Sequence, residues 1–228
     1  MPLLQITPVT ASVFSLLAIG CLLLAFVMLG SRWLRDYMVA FGVQSWLIAI
    51  LSALVGYYSH IPELYLIAVL TALFRGLLLP YLILRILRRL DADRELHVIV
   101  QASTSLVVGA AAVVFALAVA SRITAGLGLN AAAGVTVLAL TVMLSIKLIG
   151  FLILTVRHQA ISQILGLLEL ENGIFLGSQV LIPGMPLLLE LVILFDLLVA
   201  VVCFGVLARY LMERAGTTSS LKLRKLVG

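Results

Sequence analysis

Four carboxylates sit where carboxylates are costly. Glu169 and Glu171 lie in the apolar run ISQILGLLELENGIFLGSQ, and Glu190 and Asp196 lie in PLLLELVILFDLLVAVVCFGVLARY. A charge at bilayer depth costs several kcal/mol on common scales, so an intramembrane acid points by default to a functional site. Two cations, Arg75 and Lys147, are also placed inside apolar runs. The chemistry these residue types offer is proton exchange. A desolvated lysine or carboxyl can gain and lose a proton, whereas an arginine stays charged and serves as a fixed counter-ion.

The depths agree. At about 1.5 Å per helical residue, Glu169 falls roughly 15 Å past Gln159, near the middle of a core about 30 Å thick. Asp196, nine residues past Leu187, Arg75, eleven past Leu64, and Lys147, nine before Val156, reach a similar depth. Glu171 lies slightly further from the cytoplasmic end, and Glu190 falls near the opposite boundary. Glu169 and Glu171 are two residues and about 200° apart on a helix, so they point to nearly opposite sides. Ser162, Gly166, Glu169 and Gly173 step by four, three and four and form a small, polar stripe that permits close helix contact. The residues leave three uses open. The charges could form a lateral proton path, a set of ion pairs that fixes helix register, or the binding site of a transporter.

The elements that must hold these residues are membrane helices. The 228-residue chain is 64% hydrophobic and 11% charged, with a mean hydropathy of +1.26, against roughly half apolar and a quarter charged for soluble domains. Runs of roughly 20 apolar residues predict an all-α, polytopic bundle of about seven spans. They are about Val9–Gly30, Tyr37–Ser59, Leu64–Leu87, His97–Ala120, Ala131–Val156, Gln159–Gln179 and Leu187–Leu211. Pro62 is placed to open the third, Arg75 and Pro80 interrupt it, and Arg122–Gly128 reads as a turn. Twelve of the fifteen Lys and Arg fall on one side of this arrangement and Arg122 alone on the other. The positive-inside rule then puts the N-terminus outside and the C-terminus in the cytoplasm, as a multi-pass protein of the cell inner (plasma) membrane.

Other chemistries find no footing. The net charge of +5 follows from topology and carries no nucleic-acid signature. Cys21 and Cys203 lie in separate apolar spans without a CxxC pair or a histidine cluster, which argues against a disulfide framework, a zinc site or an iron–sulfur site. His60, His97 and His158 sit at span ends as interface residues. No phosphate-binding or dinucleotide fingerprint is present.

The segment ILGLLELENGIF after Arg157, followed by a last helix with an acid thirteen residues before Arg209, resembles the small three-helix K-type subunit of respiratory complex I and its counterpart in Mrp-type antiporters. That resemblance covers about residues 131–212. Over its whole length the chain looks like component E of hydrogenase-4, a membrane subunit of group 4 nickel–iron hydrogenase and formate hydrogenlyase-like complexes. The resemblance divides the chain into an N-terminal four-helix part (1–130), a K-like three-helix part (131–212) and a basic cytoplasmic tail (213–228). It places Asp196 at the last-helix acid and Glu169 at the middle-helix acid, with Glu171 as the second candidate. Glu190 and Lys147 rest on the residue reading alone. It further implies a non-catalytic subunit without cofactors of its own, working beside antiporter-like membrane subunits and a hydrogenase-like redox arm in the lipid bilayer. A purely structural anchor, or a subunit of an antiporter-type complex with no hydrogenase, is the alternative.

Overall fold

The computed structural model describes residues 8–90, 101–126, 133–157 and 160–181, together with 202 and 206. Among these residues the protein is all-helical. The helices are α1 (Pro8–Gly30), α2 (Leu34–Ser59), α3 (Glu63–Leu70), α4 (Leu79–Leu90), α5 (Ala102–Gly126), α6 (Ala133–Val156) and α7 (Ala160–Leu181), and a π-helical segment, Thr71–Leu78, joins α3 to α4. Among the described residues five stretches are long and apolar enough to cross a membrane: Ala11–Gly30, Leu34–Tyr58, Glu63–Arg85, Ala102–Gly126 and Gly134–Val156. The chain is therefore a membrane protein by the length and composition of its helices. α7 is 22 residues long but is diluted by Gln163, Glu169, Glu171, Asn172 and Gln179. Of the expected seventh span only residues 202 and 206 are described, and Glu190 and Asp196 lie outside the described residues.

Two boundaries differ from expectation. α2 begins at Leu34 rather than Tyr37, because Arg35 and Asp36 enter its first turn, where an acid complements the helix dipole. The fourth span, expected at His97–Ala120, is instead Ala102–Gly126, so Arg122 lies in helix and not in a turn. Its extension is supported at Thr124, whose Oγ1 donates to the Ala120 carbonyl at 2.8 Å, and an arginine at a helix end can carry its charge outward along an apolar stem.

The third span is one rod of three segments. Pro62, at φ −65°, precedes Glu63 as expected of a helix opener. Pro80 has no N–H to give the Gly76 carbonyl, and one residue earlier the Leu79 N–H bonds the Phe74 carbonyl, five residues back. The Gly76 carbonyl lies so near α2 that a Cβ on Gly42 would come within 3.2 Å of it. The widened turns carry Arg75 on their buried face, with Thr71, Ala72 and Gly76.

Packing places α7 beside α6 and against α2, while α1 contacts α2, α5 and α6. The α6–α7 crossing is close because neither helix has a side chain there. A Cβ on Gly150 would meet the Gly166 carbonyl at 2.9 Å, and one on Gly166 the Gly150 carbonyl at 3.0 Å. One continuous apolar core runs from Phe14 and Ala18 on α1 through Phe41 and Ile48 on α2 to Ile146 and Ile149 on α6 and Leu168 and Leu176 on α7. Most of α5 faces outward. Its buried residues are Ser105, Gly109, Ala116, Ala120 and Thr124.

Candidate functional site

A buried polar layer crosses this core at one level. Cys21, Gln44, Arg75 and Glu169 each lie within about two residues of the middle of their helices, whose midpoints fall at 20–21, 46, 74 and 170–171. α7 supplies Leu165, Glu169, Asn172 and Gln179 on one stripe, with steps of four, three and seven that keep residues on a single helical face. α2 meets it with Tyr37, Gln44 and Ser52. Tyr37 Oη donates to the Leu165 carbonyl at 2.7 Å, and Gln179 Nε2 donates to Ser52 Oγ.

Between these two contacts lies the core of the site. Arg75 Nη2 pairs with Glu171 Oε2 at 2.6 Å, and Nη1 of the same guanidinium donates to Asn172 Oδ1 at 2.9 Å. Asn172 Nδ2 donates to Gln44 Oε1 at 2.6 Å. Gln44 Nε2 donates to Glu169 Oε1 at 2.9 Å and to the Cys21 carbonyl at 3.0 Å. The Phe175 ring lies 5.2 Å from the guanidinium carbon, close enough for a cation–π contact. One hydrogen-bonded chain thus joins both acids of α7 to α1, α2 and the π segment.

The two acids occupy different environments. Glu169 is fully buried, whereas the Glu171 side chain is 18% exposed beside an Arg75 that is 1% exposed. Glu169 Oε2 is buried and has no hydrogen-bond partner among the described residues. The 200° separation read from the sequence corresponds to Gln44 on one side and Arg75 on the other. The stripe of Ser162, Gly166, Glu169 and Gly173 divides, however. Gly166 and Gly173 pack on α6 against Leu154 and Ile146, while Glu169 turns to α2, because the two glycines sit about 60° and 40° round the helix from it.

Among the described residues Lys147 is not paired with Glu169 or Glu171. It is half-buried on α6, its stem beside Gly173, where a Cβ would approach Lys147 Cγ to 3.2 Å. Among the described residues it makes no ion pair. Glu190 and Asp196 lie outside the described residues.

A second buried arginine closes one end of the bundle. Arg157, in the turn after α6, donates through Nη2 to the carbonyls of Met28, Leu29 and Ser31 at 3.0, 3.2 and 2.9 Å. These are carbonyls at the C-terminal end of α1, where a cation also meets the negative end of the helix dipole. Burial pulls the Arg157 pKa below the ordinary arginine value, with Tyr37 opposing.

The sequence reading passed over Gln44, Asn172, Ser52, Gln179 and Tyr37. Weighing only residues charged at neutral pH hid them. The signal available was an amide inside an apolar run, since Gln44 in AFGVQSWLIAIL needs a hydrogen-bonding partner in a membrane much as a charge does.

No protein-family model matches the chain, and no solved structure matches it. The uncharacterized protein Rv0085 of Mycobacterium tuberculosis (strain ATCC 25618 / H37Rv) is 32% identical over 213 residues, which cover 92% of this chain and 94% of that protein. With that identity sustained over nearly the whole of both sequences, the chain belongs to the same family as Rv0085.

Proposed function

We propose that this chain is a proton-path subunit of a multisubunit membrane complex, of the group 4 hydrogenase-like, complex I-related kind that the sequence resembles. One observation carries the reading. Glu169, at the middle of its helix, is fully buried with one carboxyl oxygen held by Gln44 and the other without a partner among the described residues. A structural acid would have both oxygens bonded, since an unsatisfied buried polar atom costs about 1–3 kcal/mol. An acid that takes up and releases a proton needs one oxygen left for it.

In this reading Glu169 is the exchanging group and Arg75 a fixed charge beside the path. Asp196, Glu171, Glu190 and Lys147 are further members. The chain holds no redox cofactor of its own. Antiporter-like membrane subunits and a hydrogenase-like arm are its partners, in the plasma membrane with about seven spans and the C-terminus cytoplasmic. A specific observation favours the structural alternative for part of the site. The Arg75–Glu171 pair at 2.6 Å, with Asn172 and Phe175 around it, has the form of a lock between helices.

The test is proton translocation by the intact complex in sealed vesicles. Glu169→Gln and Asp196→Asn are expected to assemble normally and to lower coupled proton uptake by on the order of 10²-fold, the low end of what a positioned proton-transferring side chain contributes. Wild-type uptake by both variants overturns the proposal.

A further inference from the structure

The direction of every hydrogen bond around Glu169 is set by two ends that cannot reverse. Arg75 only donates, so Asn172 must present Oδ1 to it and is left to donate through Nδ2. The Cys21 carbonyl only accepts, so Gln44 must present Nε2 to α1. Both constraints orient the Gln44 amide the same way, with Oε1 towards Asn172 and Nε2 towards Glu169. Gln44 therefore always donates to Glu169 Oε1. An oxygen that accepts this bond with the carboxyl ionised also accepts it with the carboxyl neutral, as the carbonyl oxygen of the acid.

Among the described residues, the other groups facing Glu169 do not compete for Oε2. The titratable groups on which the Glu169 charge acts are Cys21 on α1 and Tyr37 on α2. The Cys21 thiol is directed at the Gln44 carbonyl, with Sγ 4.0 Å from that oxygen, and Tyr37 donates to the Leu165 carbonyl at 2.7 Å. Of the cations at this level among the described residues, Arg75 donates to Glu171 and Asn172 and Lys147 stands on α6 beside Gly173.

We propose that Gln44 and Asn172 are positioning residues for Glu169. They commit Oε1 to accept a hydrogen bond in both protonation states, so that the proton resides on Oε2, the oxygen without a partner among the described residues. The division of labour between the two acids follows. Glu169 is the group that holds and releases the proton at a defined atom, and Glu171 is the standing partner of Arg75, whose guanidinium sets the direction of the whole chain. The inference rests on the reading of Glu169 as a proton carrier and extends it to two amides that carry no charge.

Infrared difference spectroscopy of the protein in lipid nanodiscs, in the complex with which it purifies, reads this directly. With pH as the perturbation, a carboxylic acid C=O band that Glu169→Gln removes marks the protonated acid. Gln44→Met is expected to move that band to higher wavenumber, because its carbonyl oxygen loses the Nε2–H bond. Asn172→Leu, the second variant should Gln44→Met fail to fold, is expected to broaden or split it, because the Gln44 amide is no longer held in one orientation. No Glu169-dependent band at any pH overturns the proposal, as does a band unmoved by both amide variants. A band that behaves as expected in a complex where Glu169→Gln still translocates protons at the wild-type rate leaves the positioning intact and sinks the proton path instead.

Discussion

Replacing Glu171 by Gln removes the charge opposite Arg75 and tests whether the pair holds the helices together. The guanidinium is 1% exposed and cannot hydrate in place, while the Glu171 side chain is 18% exposed. Removing one partner of a buried ion pair costs about 3–5 kcal/mol, most of it from stranding the other charge. Here the lower end applies, about 3 kcal/mol, since Asn172 Oδ1 at 2.9 Å and the Phe175 ring at 5.2 Å still face the guanidinium. For a chain of this size roughly 2–4 °C is lost per kcal/mol, so Glu171→Gln should melt about 6–12 °C below wild type. Arg75→Gln should cost less, about 2 kcal/mol, because the carboxylate it strands is partly exposed. The double variant should be no worse than Glu171→Gln alone, giving a coupling of about 2 kcal/mol. Thermal unfolding in mild detergent, followed by fluorescence of the two tryptophans and by retention of a monodisperse peak, measures all three. A Glu171→Gln melting point within about 2 °C of wild type, or a double variant that loses the sum of the singles, refutes the lock.

The remaining predictions concern the frame around the site. Gly150→Val should destabilise by about 1–3 kcal/mol and weaken α6–α7 packing, because the added carbons meet backbone, the Gly166 carbonyl and the Leu170 nitrogen, as well as Leu170 Cγ; unchanged melting would contradict that crossing. Arg157→Met keeps the apolar stem but removes the Nη2 bonds to three carbonyls at and just beyond the end of α1, with an expected loss of about 2–3 kcal/mol and faster amide exchange near Arg157 and the start of α2. Tyr37→Phe removes only the bond to the Leu165 carbonyl and should cost about 1 kcal/mol without altering proton uptake, which the vesicle assay checks.

What the sequence made legible follows from how strongly each feature is constrained. Hydropathy located the helices, and depth counting brought Arg75 and Glu169 to one level, because a charge in an apolar run leaves few placements. The partners were another matter. Sequence allowed Arg75 and Lys147 to meet any of three acids, and only the tertiary packing gave Glu171 to Arg75 and left Lys147 beside Gly173. Pro80 announced a disturbance in the third span, but not that the backbone would widen into π turns before it. That choice is made together with Gly42, which lets the Gly76 carbonyl approach α2. The start and end of α5 escaped because apolar residues flank both ends, so composition there sets no boundary.

The origin of the partners bears on how the chain divides. The acids of α7 lie in the C-terminal part, within residues 131–212, where the sequence resembles a three-helix subunit. Bonds to their carboxyl groups come from elsewhere in the chain: Gln44 on α2 reaches Glu169, and Arg75 on the π segment reaches Glu171. Arg157, from the C-terminal part, in turn caps α1. A three-helix fragment would therefore expose two carboxylates to lipid with neither the guanidinium nor the amide that holds them. In this chain the N-terminal helices are half of the site, and the direction of its hydrogen bonds is set from their side, by Arg75 and the Cys21 carbonyl.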